Sequence, residues 1–274
     1  GGNATVTNLT ISANGSGGDG ANGDIYYGTA GGNGGRGIGG NTTFNAQSGN
    51  LTVTSTLTVS AQGNSNYYYS YGASSSGGRG YGSNGGAGGA GIGGTATFNL
   101  DGSATINADQ VIVSTNATGG RGGSSRYGFD ALNNQVQAGI GGNGGDATGG
   151  DATFNNNAGT LNFSQLSVNS IGTGGNGGQV FGFSTGDSDN IAGDGGVGTG
   201  GNATININQD DLNNPIYVVD ASGIGGDGGD GLDGGNGGGA YGGVAAININ
   251  GTTAVLDDPS IIANATGGAG GQGK

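Results

Sequence analysis

The sequence predicts an all-β chain, a parallel β-solenoid of about six irregular rungs with a glycine-rich polyproline-II or polyglycine-II bundle along its side. Three observations predict it. A glycine-led head recurs through the chain, each head opens a stretch of alternating polar and apolar residues, and between these stretches glycine returns on a three-residue beat.

The head is two glycines, a variable residue, Ala or Thr, usually Thr, and then an apolar residue. It is written six times: Gly1-Gly2-Asn3-Ala4-Thr5-Val6, Gly39-Gly40-Asn41-Thr42-Thr43-Phe44, Gly93-Gly94-Thr95-Ala96-Thr97-Phe98, Gly149-Gly150-Asp151-Ala152-Thr153-Phe154, Gly200-Gly201-Asn202-Ala203-Thr204-Ile205 and Gly242-Gly243-Val244-Ala245-Ala246-Ile247. The heads define a single repeat array over 1–274, with units beginning near 1, 39, 93, 149, 200 and 242. Unit length varies while the head stays fixed, which confines insertions to one part of each unit.

After each head comes a period-2 stretch rich in Thr, Val and Ile, the pattern of half-buried strands. In the third unit Ala96, Phe98 and Leu100 alternate with polar residues, Asp101-Gly102 marks a corner, Ala104, Ile106 and Ala108 alternate again, and Val111 and Val113 form a third run. Three strands and two corners make one turn of a solenoid. The first unit is shorter: Leu9 follows Val6 almost at once, so one strand is expected to be missing there. No unit holds enough apolar surface to fold alone, whereas stacking Phe44 on Phe98 on Phe154 buries a continuous column. Pro215 and Pro259 are expected at corners just before a third run, where a missing N–H costs little.

The remainder of each unit is glycine. Residues 31–40 read GGN-GGR-GIG-G and residues 85–94 GGA-GGA-GIG-G. A polyproline-II helix has three residues per turn and no internal hydrogen bonds, so such segments must bond sideways, and glycine lets their backbones come close enough. In several units the beat runs out, meets a non-glycine insert and runs back, giving an arm, a tip and an arm. The tips carry Tyr26, Tyr27, Tyr67, Tyr68, Tyr69, Tyr71, Tyr127, Phe129, Phe181 and Phe183, which are the candidate partner-binding residues. Exposed aromatics there would stack on sugar rings, meet a partner protein or join one fibre to the next; the competing reading folds them back over the glycine arms.

Composition excludes several function classes. Glycine supplies 75 of 274 residues, and His, Cys, Met and Trp are absent. Glu is absent too, and the one Lys is Lys274. The side chains that usually run general acid–base, thiol or zinc chemistry are therefore missing, and no enzymatic activity is expected. A net charge of −13 opposes nucleic-acid binding, and no apolar run is long enough for membrane insertion.

The strand heads alternating with GGxGGx runs resemble the glycine-rich haemagglutinin-repeat exoproteins that Gram-negative bacteria export by two-partner secretion. The resemblance spans the chain, rests on repeats and composition, and implies a right-handed β-helix with a secreted or surface role. The arm–tip–arm segments are similar to the polyglycine-II tips of T-even-like phage adhesins and to mycobacterial glycine-rich repeat proteins. The strand block in every unit departs from those phage tips.

Residues 225–233 match the calcium nonapeptide GGxGxDxUx, which makes Asp227, Asp230 and Asp233 candidate Ca²⁺ ligands; no other cofactor is indicated. That motif needs tandem copies to form facing half-sites, and here it stands alone. Asp187 with Asp189, Asp210-Asp211 and Asp257-Asp258 are read as solvated or corner carboxylates. Neither end of the array looks capped, so self-association, head to tail or lateral, is the expected partnership, with a cell-surface or glycan ligand at the tips. The expected function is a structural and adhesive extracellular fibre protein at the cell surface. The alternatives are an ice-binding protein, weakened because outward Thr such as Thr52, Thr54, Thr56 and Thr58 gives way to other residues in later units, and a phage receptor-binding adhesin. A polysaccharide-active enzyme ranks below these.

Overall fold

The computed structural model describes residues 2–64, 76–182, 190–209, 216–250 and 256–273. Among them there is no helix, and the strands are mostly parallel. Eleven strands form one sheet that curves until it nearly closes like a barrel, while short strands in the glycine-rich segments form smaller sheets of six, five and three.

The heads set the register. Asn41, Thr95, Asp151, Asn202 and Val244 lie side by side on consecutive parallel strands, and so do Phe44, Phe98, Phe154, Ile205 and Ile247. Phe44 and Phe98 ring centroids are 5.0 Å apart and those of Phe98 and Phe154 4.9 Å, the expected aromatic stack. The strand Thr95–Ser114 runs through all three apolar stretches of its unit, bending at Gly102, whose φ of 61° lies in the left-handed region. In the next unit the same path is broken into Asp151–Asn156, Thr160–Asn162 and Gln165–Asn169, with the turn at Gly159, φ 91°.

The first head departs from the expected pattern. Asn3–Val6 pairs with residues 50–53, and Leu9–Ser12 with 57–60. It therefore occupies the second strand position, and no described residue occupies the first position beside 41–46. Only Thr7 and Asn8 separate Val6 from Leu9, too few residues to hold another strand, so once Leu9 lies on Leu57, Val6 must lie on Val53. Pro259 also differs: it sits inside Asp257–Ile262, at the edge of the large sheet and beside a register shift, where a strand tolerates a missing donor. Pro215 lies outside the described residues.

Side chains sort by parity. Ala96, Phe98, Leu100, Ala104, Ile106, Val111 and Val113 face inward with their counterparts above and below, forming one continuous core. Outward positions carry asparagine ladders. Asn99 Nδ2 donates to Asn45 Oδ1, Asn155 Nδ2 to Asn99 Oδ1 and Asn206 Nδ2 to Asn155 Oδ1, each at 2.7 Å, and Asn248 Nδ2 donates to Asn206 Oδ1 at 2.8 Å. A second ladder runs from Asn250 through Asn208 and Asn157 to Asp101. Each amide uses its donor on one neighbour and its acceptor on the other, so the ladders have a direction.

The glycine segments bond laterally, with one N–H of each triplet aimed along each of three directions. In Asp194-Gly195-Gly196, the Gly195 N–H donates to the Asn236 carbonyl of the following unit at 2.8 Å. The Gly196 N–H donates to Gly175 in the outgoing arm at 2.8 Å. The Asp194 N–H donates backwards to the Asn143 side-chain oxygen at 3.0 Å. The cross-bonds form a zigzag through the whole stack, Gly123 to Gly86, Gly142 to Gly123, Gly178 to Gly142, Gly193 to Gly178 and Gly229 to Gly193. A Cβ on Gly142 would overlap the Gly86 carbonyl oxygen, which is why this position admits no side chain.

The third position of the triplet explains its Asn and Asp. Its N–H faces away from the neighbouring backbones, and an Asx oxygen one unit earlier accepts it: Asn33 from Ala87, Asp146 from Val197, Asn176 from Asp227, Asp227 from Ala269. Ala87 breaks the column between Asn33 and Asn143. Ala87→Asn should supply an acceptor for the Asn143 N–H and raise stability by up to about 1 kcal/mol in denaturant unfolding. Gly142→Ala, which forces backbone apart, should lower it by more than about 2 kcal/mol.

Tyr217 is fully buried in the core, edge-on to Phe163 with centroids 6.0 Å apart, and its hydroxyl has no hydrogen-bond partner among the described residues. Burial pushes this hydroxyl well above the ordinary tyrosine value, so the fold requires it neutral. Its contribution is whole below about pH 10, where the unfolded chain titrates, and declines as pH rises beyond that. Tyr217→Phe should remove this alkaline loss and raise stability at neutral pH by about 1 kcal/mol, read by thermal melts across pH.

Candidate functional site

The loop tips meet along one edge. Gly80–Tyr81, Ser125–Arg126 and Val180–Phe181 pair as a three-stranded parallel sheet, so the second, third and fourth tips spring from adjacent positions. The first joins them through backbone bonds: Gly23 N–H to Arg79 O at 2.7 Å, and Phe129 N–H to Ile25 O at 3.0 Å. Behind this sheet Ala138, Val180 and Ala192 form a small separate core.

The aromatic side chains divide between contact and cover. Tyr26 and Tyr27 are 67% and 74% exposed, on a turn that Asp24 holds by accepting the Tyr26 N–H at 2.8 Å. Phe129 is half-buried and meets Tyr127 edge-on at 6.2 Å. Phe181 takes the Arg126 guanidinium over its ring, 4.8 Å from the centroid. Tyr26, Tyr27, Tyr127 and Phe181 thus present surface to solvent, while Phe129 packs within the edge. Tyr67, Tyr68, Tyr69, Tyr71 and Phe183 lie outside the described residues, as do Asp187, Asp189, Asp210 and Asp211.

Sequence reading missed other members of this edge. Leu132, 82% exposed, caps the third tip on a hairpin formed by Gly128–Phe129 and Gln135–Val136. Arg126 is set by its place in the three-stranded sheet, which the sequence does not reveal. An open groove of about 370 Å³ runs beside Phe181, lined by Gln179, Gly182, Asp230, Gly231 and Gln272. Gln179 Nε2 donates to Asp230 Oδ2 across it at 3.2 Å.

The calcium reading finds a different use for its residues. Among the described residues no group of three acidic side chains could hold a metal ion, so Asp227, Asp230 and Asp233 are not brought together. Asp227 accepts the Ala269 N–H and Asp230 the Gln272 N–H, both at 2.8 Å, the same service that Asn gives elsewhere in the arms. The motif match follows from glycine spacing and Asx caps rather than from half-sites.

No protein-family model, curated protein or solved structure matches the chain.

Asp130 organises the third tip. Its Oδ1 accepts the N–H groups of Leu132 and Asn134, and its Oδ2 accepts Asn134 Nδ2. These bonds, that from the Asn134 side chain foremost, hold its carboxyl below the usual value. A depressed folded value means that the turn is fully favoured above the ordinary carboxylate range and loosens as pH falls through the Asp130 value. An NMR titration should show the Tyr127 and Phe129 signals changing with Asp130, and Asn134→Ala should move that change to higher pH.

Proposed function

We propose that the protein is a structural and adhesive element of an extracellular, cell-surface fibre. In this reading the chain is a right-handed β-solenoid of about six rungs with a polyglycine-II side bundle, and the tips make contacts with surfaces or neighbouring fibres. The observation that carries it is the edge where the tips meet, with Tyr26, Tyr27, Tyr127 and Phe181 open to solvent beside a scaffold bonded from unit to unit. Inward positions buried in every middle unit are open at the last one, with Ile249 45% and Ile261 53% exposed, and Val6 is 37% exposed at the other end. Both end faces also present strand edges with a partner on one side only, Asn3–Val6 and Leu9–Ser12 at one end and Val244–Ile249 and Asp257–Ile262 at the other. Edges and apolar surface of this kind are what a further rung pairs with, whether it belongs to the same polypeptide or to another copy. The ladders add direction: the Asn248 acceptor faces one way along the column and the Asn45 donor the other, so any rung added must keep the same polarity.

Tyr26 and Tyr27 support the contact role, since they stand exposed on a tip turn outside the strand columns. Negative-stain electron microscopy of the purified protein should show fibres far longer than the roughly 29 Å of six strands at about 4.8 Å each. Uniform short rods at every concentration would overturn the proposal. Tyr26→Ala with Tyr27→Ala should leave fibre length unchanged and reduce lateral bundling.

One observation favours ice binding as a second reading. Thr43, Thr97, Thr153 and Thr204 are adjacent in register on the outward side of the first strands, a regular Thr column that the Thr52 and Thr56 positions lack. Thermal hysteresis in the native protein, abolished by Thr97→Tyr with Thr153→Tyr, tests it.

A further inference from the structure

Asparagine followed by glycine is the pairing most open to spontaneous deamidation. The glycine amide nitrogen attacks the Asn side-chain carbonyl carbon, ammonia leaves, and water opens the resulting succinimide to aspartate or isoaspartate. Glycine allows the approach because it carries no Cβ and bends freely. Six such pairs begin at Asn14, Asn22, Asn33, Asn84, Asn143 and Asn176, each with a described unit following it.

In the folded chain both reacting groups of each pair are held by one and the same residue of the following unit. Asn33 Oδ1 accepts the Ala87 N–H at 2.9 Å, while the Gly34 N–H donates to the Ala87 carbonyl at 2.9 Å. Asn143 and Gly144 grip Asp194 in the same way, at 3.0 and 2.8 Å, and Asn176 and Gly177 grip Asp227 at 3.0 and 2.8 Å. Asn14 with Gly15 holds Gln62, Asn22 with Gly23 holds Arg79 and Asn84 with Gly85 holds Ile140, every bond between 2.7 and 2.9 Å.

We propose that this two-bond grip suppresses succinimide formation, so that the arms keep their asparagines chemically intact for as long as they stay folded. To react, the glycine nitrogen must give up its proton and turn onto the Asn carbonyl carbon. That proton is committed to the partner's carbonyl, and the Asn oxygen is committed to the partner's N–H. Both bonds must open together. The arm that holds them is also bonded across the stack, as Gly142 to Gly123 and Gly145 to Gly120 show on either side of Asn143. Deamidation then waits on local opening and proceeds only through the small open fraction.

Aspartate makes the same grip. Asp146 Oδ1 accepts the Val197 N–H and the Ala147 N–H donates to the Val197 carbonyl, both at 2.8 Å; Asp194 and Gly195 hold Asn236 at 2.7 and 2.8 Å. An arm in which one Asn has become ordinary aspartate therefore keeps its bonds. Isoaspartate breaks them, because its extra backbone carbon moves every later residue off the three-residue beat. The inference rests on the hydrogen bonds of the arms, not on fibre formation or on what the tips contact.

The full chain, held at mildly alkaline pH and sampled over time, is mapped by proteolysis and mass spectrometry beside the same chain in denaturant. Each of the six Asn should convert at least about tenfold more slowly in the folded chain, equivalent to about 1.4 kcal/mol. Hydrogen exchange separates the grip from general rigidity. Slowing at Asn33, Asn143 and Asn176 should follow the exchange protection of Gly34, Gly144 and Gly177, and both should fall in step as denaturant is added below the unfolding transition. Ala87→Pro, whose ring suits a polyproline-II segment but lacks the N–H that Asn33 accepts, should speed conversion at Asn33 and leave Asn143 and Asn176 as they were. Asn33→Asp should melt with the parent chain, and a marked loss of stability there would overturn the tolerance of aspartate. Equal conversion in folded and denatured chains, slowing unrelated to glycine protection, or unchanged conversion at Asn33 in a folded Ala87→Pro chain would overturn the proposal. Should Ala87→Pro not fold, the exchange comparison on the parent chain decides alone.

Discussion

Pairing of backbone N–H and C=O groups without help from helix or ordinary sheet is the constraint on which this molecule depends. An extended glycine segment makes no internal hydrogen bonds, and a buried amide left unpaired costs on the order of 1–3 kcal/mol. With three residues per turn, successive N–H groups point in three directions. Two of those directions meet the backbone of a neighbouring arm, as at Gly195 and Gly196, and only glycine lets the chains approach that closely. The third meets no backbone, and there an Asn or Asp side chain from the preceding unit accepts the proton. Glycine abundance and the recurrence of Asn and Asp are thus two consequences of one hydrogen-bond requirement.

The strand half of each unit meets the same requirement by parallel pairing and uses its side chains differently. Inward columns of Phe, Leu, Ile, Val and Ala supply burial, and outward columns of Asn lock the register. A slip of one residue would turn Phe98 outward and Asn99 into the core, so the two columns enforce each other. Amide ladders also distinguish the two ends of the stack, which an apolar column alone cannot do. Asn156 shows the cost of an exception: it stands in an inward column between Leu100 and Ile207, its Oδ1 satisfied by Gln209 and its Nδ2 without a partner among the described residues.

Much of this was legible because the signals are local and repeated. The heads fixed the positions of Phe44, Phe98 and Phe154, and the triplet beat implied lateral bonding before any bond was seen. The first head misled because Gly1-Gly2-Asn3-Ala4-Thr5-Val6 reads like the others; the informative feature was the two-residue gap to Leu9, which fixes it one strand position later. Asp227 and Asp230 matched a calcium pattern because Asx caps at three-residue intervals between glycines generate that pattern unaided. The tip edge was legible only as a set of aromatics. That Arg126 lies on Phe181, or that Phe129 turns inward while Tyr26 and Tyr27 stay out, depends on pairings between inserts of unrelated sequence.

The division between fixed and variable parts has a physical origin. Each arm is bonded to arms before it, after it and across from it, so a change of length within an arm would break registers throughout the stack. An insert at the tip breaks none. The hairpin carrying Leu132 and the turn carrying Tyr27 therefore differ freely in length and chemistry while Gly120, Gly145 and Gly175 remain linked by the same bonds. Side contacts can diversify at the tips without touching the scaffold. Contacts along the axis cannot, because they consist of the scaffold's own pairing, in which each strand must match the pattern of the strand it adjoins.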